Sequence, residues 1–359
     1  MIKFLGKCVL FLLILSLVQM GLTSVLESQR DFHWGHEYMH ARMDHLEKSA
    51  PYNIIALGSS RVMCHMDPNL MDELMSETYP AKSFNCGLAG TFAPLTYHFY
   101  EEYLKSDVPK AEYVLLELDW LMQPTPPDMH VTDYKYWFDA REYLFGMQGT
   151  WKQPGIRKLN KLVSMYGYSM SYIERLWNVG LLKSWYEVER DGPNSELLGL
   201  ENNGFINLED AVLYASDADI RSGMEALRDG FFADTTVLSS AKERAFLSYM
   251  EQNPAQAINQ PHMRRLEDLM ARSKAKGIHL VFILSPRVYA PDLLAMMQQL
   301  PNEHKIDLSD PRKFPEFYES KYSFDDMHLN HQGAMCYTES LASALQNIMG
   351  IQNIRVGQK

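Results

Sequence analysis

The strongest constraint on this chain is a rhythm of short apolar runs that stop at turns. Residues 52–58 read as a strand running into Gly58-Ser59-Ser60, with Pro68 to Met75 as the helix after it. Lys82 to Gly90 gives a second short strand ending in a glycine turn, followed by a helix from Pro94 to Lys105. Ala111 to Leu118 is a third, buried strand. The rhythm resumes with a helix over His262 to Lys276, closed by Gly277, then a strand over Ile278 to Leu284, and Gln332 to Met349 reads as a closing helix. Strands that alternate with helices imply an α/β fold around a parallel sheet.

The middle of the chain breaks this rhythm. Between about Trp120 and Gln260, Tyr134, Tyr136, Trp137, Phe138, Tyr143, Phe145 and Trp151 are dense, and Leu159 to Leu182 is helical in period, carrying Tyr166, Tyr168, Tyr172 and Trp177. Such aromatics either stack against sugar rings and cover a cleft or form the core of a helical insertion, and the second reading is favoured. A chain of 359 residues, 46% hydrophobic and 22% charged, can bury a full core and suits one large domain with an insertion, or two domains. The organisation read from these shifts is an N-terminal segment over 1–29, the α/β domain over 30–121 and 261–359, and a helical insertion over 122–260. A net charge of -11 without any Lys/Arg run argues against a nucleic-acid surface.

At the N-terminus, Lys3 and Lys7 precede an apolar run from Cys8 to Val18 that continues through Met20, Leu22, Val25 and Leu26. Leu5 to Leu26 is long enough to span a bilayer, and no Ala-x-Ala-like cleavage site follows. An uncleaved single-pass anchor is favoured over a signal segment whose removal would leave a secreted or periplasmic protein. The flanking lysines then stay in the cytoplasm and the body lies on the far side. Outside this segment stand Cys64, Cys86 and Cys336, an odd number; three buried thiols are favoured over a Cys64 to Cys86 bridge. Their spacing matches no zinc site, and neither a metal nor another cofactor is expected.

Two distant segments carry chemistry. Ser60 sits at a strand's carboxyl end, where ligands bind in open α/β sheets. Asp325-Asp326-Met327-His328 supplies an Asp and a His three residues apart, close enough for the carboxylate to orient the imidazole while the imidazole activates a serine. The plainer alternatives are a strand-ending turn at Gly58-Ser59-Ser60 and a helix cap at Asp325-Asp326.

Gly58-Ser59-Ser60, then Asn85-x-Gly87-x-x-Gly90, then Asp325-x-x-His328 followed by Leu329-Asn330-x-x-Gly333, together resemble the SGNH (GDSL-type) hydrolase superfamily. The closer likeness is to its membrane-anchored bacterial branch, which includes the DltD proteins of teichoic acid alanylation and the alginate acetylation proteins. The resemblance covers Pro51 to Leu121 and Gly277 to Met349. It implies a flavodoxin-like three-layer sandwich. It also implies Ser60 as nucleophile, His328 as general base and Asp325 as its orienting acid, with oxyanion donors from the backbone of Ser60 and Gly87; Asn85 is a weaker candidate, either for a side-chain donor or for a structural turn. The Gly-x-Asn-Asp block of many members is absent, and Glu117-Leu118-Asp119-Trp120 stands at the corresponding strand end. Glu117 and Asp119 are expected to meet Arg61 or Arg287 and form a charged rim, in which either arginine could hold an anionic or hydroxyl-rich substrate, with solvated surface arginines the equal alternative. The function so implied is an extracytoplasmic O-acyl, most simply O-acetyl, transferase or esterase acting on a cell-surface or exported polysaccharide. Its partner would be a membrane-bound O-acyltransferase (MBOAT). The alternative is a non-catalytic glycan-binding or assembly subunit of such a system.

Overall fold

The computed structural model describes residues 2–28, 37–49, 51–130, 137–177, 197–214, 218–250, 258–287 and 290–350. The strands are β1 (Ile54–Gly58), β2 (Ser83–Gly87), β3 (Tyr113–Glu117), β4 (His279–Leu284) and β5 (Lys305–Asp307). The helices, in chain order, are α1 (Ile2–Ser28), α2 (Glu37–Lys48), α3 (Ser60–His65), α4 (Pro68–Met75), α5 (Leu95–Lys105), α6 (Ala140–Lys152) and α7 (Lys158–Trp177). They continue with α8 (Leu208–Tyr214), α9 (Ala218–Ala233), α10 (Thr236–Met250), α11 (Gln260–Ala275), α12 (Pro291–Gln299) and α13 (His331–Ile348). The chain divides into two compact units, one of Met1–His40, Gln123–Lys152 and Ile156–Asp191, the other of Ala41–Met122, Gln153–Gly155 and Gly192–Lys359.

The second unit is built on a five-stranded sheet of order β2-β1-β3-β4-β5, parallel throughout. That is the flavodoxin-like order, and the reversal of strand order beside β1 puts a crevice at its carboxyl end. Both faces of the sheet are covered, so its central strands are nearly continuous in apolar residues rather than alternating. One face turns Ile54, Ala56, Leu115, Val281, Ile283 and Ile306 onto Met66, Met71 and Met75 near α4, onto Tyr337, Leu341 and Leu345 of α13, and onto Ala241 and Ala245 of α10. The opposite face carries buried Ile55, Leu57, Phe84, Val114, Leu116, Leu280 and Phe282. There α5 and α11 pack together, joined by Tyr100 to Ser273 at 2.5 Å and by Arg265 to Glu101 at 3.1 Å.

The β2 edge is not left open. The Asn85 N–H donates to the Asn203 carbonyl at 2.9 Å, and Gly204, at φ 84°, lies so close that a Cβ there would meet the Asn85 carbonyl. Arg42 holds this segment in place through the carbonyls of Leu197 and Gly204. Covering an edge strand removes a pairing site that would otherwise invite aggregation.

The first unit contains α1, α6 and α7. Its aromatics form a core: Trp137 and Phe138 are buried, Tyr143 stacks on Tyr172 at 4.6 Å, and Tyr168 lies against Phe138. Gly146 of α6 meets the Tyr168 ring where a Cβ would collide, which lets the two helices approach closely. Tyr134 and Tyr136, and the helix end expected at Leu182, lie outside the described residues.

Candidate active site

A tight strand-to-helix turn presents Ser60. Ser59 caps α3, its Oγ accepting from the Arg61 N–H at 3.2 Å, so helix begins immediately beyond the strand. The glycines of β1 and β2 make this geometry feasible. A Cβ on Gly58 would meet the side chains of Val62 and Glu117, and one on Gly87 would strike the Met63 nitrogen. Ser59 is buried while Ser60 is half-buried, so only the second hydroxyl is accessible to a ligand.

Ser60 Oγ lies 2.8 Å from His328 Nε2. On the far side of the ring, His328 Nδ1 lies 2.9 and 3.0 Å from the two Asp325 carboxylate oxygens. An ionised carboxylate only accepts, so the ring proton belongs on Nδ1 and the Nε2 lone pair faces the serine hydroxyl. Asp325 is itself fixed by the N–H groups of Met327 and His328, at 2.8 and 2.7 Å. Burial pushes its carboxyl up, but the bond from His328, the nearby imidazole charge and those two N–H donors outweigh burial and hold its pKa below the ordinary value. Asp326 is exposed, and the cap of α13 is Asn330, whose side chain accepts from the Gly333 N–H at 2.9 Å.

The expected charged rim is a buried cluster instead. Arg61 Nε donates to Glu117 Oε1 at 2.9 Å and Nη2 to Asp119 Oδ2 at 2.6 Å, with all three side chains inaccessible. Glu117 also accepts from Ser285 Oγ at 2.6 Å and from the Ser59 N–H at 2.7 Å. Burial alone would lower the pKa of Arg61, but the charges of Asp119 and Glu117 more than reverse this. Burial pushes Asp119 up, against the pull of Arg61 and with the help of Glu117. Arg61 is therefore turned away from any ligand: its Nε and Nη2 are committed to carboxylates below the turn, and its Cζ lies 5.2 Å from the centroid of the Trp120 ring.

Arg287 is likewise no rim residue. It is 3% exposed and has φ 64°, in the left-handed region. Its Nε donates to the Phe317 carbonyl at 2.8 Å, Nη2 to Ser323 Oγ at 2.5 Å, and Nη1 to the carbonyls of Asp325 at 2.9 Å and His328 at 3.4 Å. Its role is to clamp the loop that carries the acid and the imidazole. Burial pulls its pKa down to about 10, against the charges of Asp325, Tyr318 and Asp326, so it stays cationic at neutral pH.

Two expected oxyanion donors are engaged elsewhere. The Gly87 N–H donates to Asn85 Oδ1 at 2.8 Å, and Asn85 Nδ2 reaches the carbonyls of Val62, Met66 and Met63 at 2.8, 2.7 and 3.3 Å. Asn85 thus closes the last turn of α3 and spends Gly87 in doing so. Among the described residues the Ser60 N–H finds no acceptor, as befits a first-turn N–H, and it is the expected donor left without such a commitment.

His65 was not singled out by sequence. It is buried, and its Nε2 accepts from the Leu329 N–H at 2.9 Å, tying α3 to the residue after His328. Its ring stands edge-on to His328 with centroids 6.2 Å apart. Burial, then the charges of His328, Arg287 and Arg61, hold its pKa well below the usual imidazole value, so it is a neutral acceptor. The only hint in the sequence is a histidine one turn and a half after Ser60. Cys64 and Cys86 are separate buried thiols, and burial pushes Cys86 up to about 12.

What the fold and site define is an α/β protein with a five-stranded parallel sheet in which Ser60, after the carboxyl end of β1, contacts His328, and His328 contacts Asp325. No protein-family model matches the chain, and no curated protein matches it by sequence.

Proposed function

We propose that this chain is an SGNH-like serine acyltransferase or esterase, anchored by α1 and acting outside the cytoplasm on the O-acyl, most simply O-acetyl, groups of a cell-surface or exported polysaccharide. The observation that carries the reading is the continuous contact from Ser60 Oγ through the His328 ring to Asp325. In this mechanism Ser60 Oγ attacks the carbonyl carbon of the donor ester while His328 Nε2 takes its proton. Asp325 stabilises the imidazolium, and the Ser60 N–H donates to the developing oxyanion. The tetrahedral intermediate collapses to acyl-Ser60, and His328 returns the proton to the departing alkoxide. A sugar hydroxyl or water then takes the acyl group by the reverse sequence. A membrane-bound O-acyltransferase is the partner that the anchor and the acyl chemistry suggest.

One observation favours a second reading. With Asn85 and Gly87 engaged internally, the oxyanion position is left with fewer donors than the resemblance implies, and each lost donor typically costs about 100-fold to 1,000-fold in rate. That deficit suits a glycan-binding or assembly subunit. Fluorophosphonate labelling of the detergent-solubilised full chain separates the two. Adduct mass on Ser60, absent in Ser60→Ala and reduced by at least about 100-fold in His328→Ala, is the expected result. A folded protein that takes no label would leave the binding role.

A further inference from the structure

Helix α7 is amphipathic the wrong way round for a soluble unit. Leu159, Leu162, Val163, Tyr166, Met170 and Ile173 recur at helical spacing and form one continuous stripe. Most of that stripe is exposed, with Val163 at 63% and Tyr166 at 67%, although α1 packs beside α7 in the same unit. The face turned inward is the more polar one. Tyr168 and Ser171 are buried there, and Ser171 Oγ donates to the Pro124 carbonyl at 2.8 Å. A helix that buries the Tyr168 ring and Ser171 while leaving leucine, valine and isoleucine exposed presents an apolar face unpartnered among the described residues.

The flanks say which phase. Trp151, at the end of α6, is exposed, and Lys152, Arg157 and Lys158 follow it, all solvent-facing, on a protein whose net charge is -11. Lys161 turns back to donate to the Trp151 carbonyl at 3.0 Å, which fixes the indole-bearing end of α6 to the first turn of α7. From Leu162 to Ile173 there is no charged residue, and Glu174 and Arg175 close the stretch. Aromatic and cationic residues at one end of an uncharged apolar stripe are the pattern of a helix lying in a membrane interface. The same unit holds a second apolar surface: Lys3–Leu22 of α1, which packs beside α7, is long and apolar enough to cross a membrane, and none of it is buried. Helix α7 is too polar to cross the bilayer itself.

We infer that α7 lies in the lipid interface beside α1, with Leu159, Leu162, Val163, Tyr166 and Ile173 among the acyl chains and the Lys152, Arg157 and Lys158 cluster on anionic headgroups. The occupant of the exposed stripe is a lipid surface. The inference rests on the reading of α1 as an uncleaved span, and the test separates the two. The full chain, carrying Cys8→Ser and Cys336→Ser, is labelled with an environment-sensitive fluorophore at Val163→Cys or, as a control on the sheet unit, at Glu73→Cys. It is then reconstituted into phosphatidylcholine vesicles with or without phosphatidylglycerol.

Nitroxide-bearing lipids should quench the Val163 label several-fold more than the Glu73 label, and aqueous iodide should do the reverse. The lipid quenching should rise with phosphatidylglycerol, and Arg157→Glu combined with Lys158→Glu should remove that rise. A Val163 label quenched by iodide as fully as the Glu73 label would overturn the inference. So would one shielded from both quenchers, because a protein partner or a second copy would then cover the stripe. Intact mass tests the anchor separately: a chain shortened past α1 whose Val163 label still meets nitroxide lipids removes the span and leaves the interfacial helix.

Discussion

A guanidinium taken out of water and given carbonyls instead of a carboxylate bond is an expensive way to hold a loop, and Arg287 does it with a left-handed backbone. A planar fork with several N–H donors in fixed directions can bind the Phe317, Asp325 and His328 carbonyls and the Ser323 hydroxyl together. A lysine keeps the charge and loses the fork. Arg287→Lys is therefore expected to slow fluorophosphonate labelling of Ser60 by about ten-fold to a hundred-fold through misplacement of His328. The check is the second-order labelling rate of the folded protein; a lower melting point with an unchanged rate would make Arg287 structural only. The contact of Ser60, His328 and Asp325 was legible because the proposed chemistry needs particular residue types, and Asp325 and His328 are near neighbours in the chain. Arg61 meets Glu117 and Asp119 as expected, and Asn85 takes the structural-turn role that stood as the alternative to an oxyanion donor; the inward commitment of Arg61, Arg287 and Gly87 was not legible, for one physical reason. Residue type suggests solvent or substrate, but their partners are set by tertiary contacts, Arg61 meeting its carboxylates 56 and 58 residues away.

At the scale of elements, the site depends on how closely α3 can lie on the ends of β1 and β2. At Gly87 the obstruction to any side chain is backbone, with the Met63 nitrogen 2.2 Å and the Val62 carbonyl carbon 2.8 Å from an ideal Cβ. Backbone cannot rotate away, so Gly87→Ala must drive helix and strand apart and carry Ser60 with them. The expected cost is about 3 kcal/mol, at the upper end of overpacking penalties, together with loss of labelling. Gly223 is the contrasting case, since it lies inside α9 with nothing within 4 Å of a Cβ. Gly223→Ala should stabilise by about 0.5–1 kcal/mol and leave labelling unchanged. Melting temperatures of the two variants, measured beside the parent, check both signs. The long apolar strands and α4 were legible from pattern, whereas α3 and β5 were not. A six-residue helix that begins at a Gly-Ser-Ser turn reads as part of the turn, and a strand of Lys305–Asp307 offers one apolar residue.

For the molecule as a whole, buried imidazoles link folding to pH. His262 lies between α11 and α5, its Nε2 2.8 Å from the Tyr97 hydroxyl, and burial, then the charge of Arg265, push its pKa down to about 3. His65 is depressed in the same direction beside the Asp325–His328 loop. For such a group the unfolded chain, with an ordinary imidazole, binds the proton first as pH falls. Its contribution is fully present above about pH 6.5 and is lost progressively on descent toward the folded-state value. Each such histidine removes up to about 1.4 kcal/mol per pH unit in that window. Asp119 works against them, because burial raises its folded-state value, so total stability understates the effect. A difference measurement isolates it. His262→Gln keeps an acceptor for Tyr97 and removes the titration, so it should be less stable than the parent at pH 7.5 and lose less on acidification. Urea unfolding of the detergent-solubilised chain should show the gap between the two closing by about 1.6 kcal/mol between pH 6.5 and pH 5. Parallel curves would mean that His262 is protonated in the folded protein or reached by water. A closing gap would make the α5 and α11 face of the sheet an acid-labile part of the protein, held by a buried neutral imidazole.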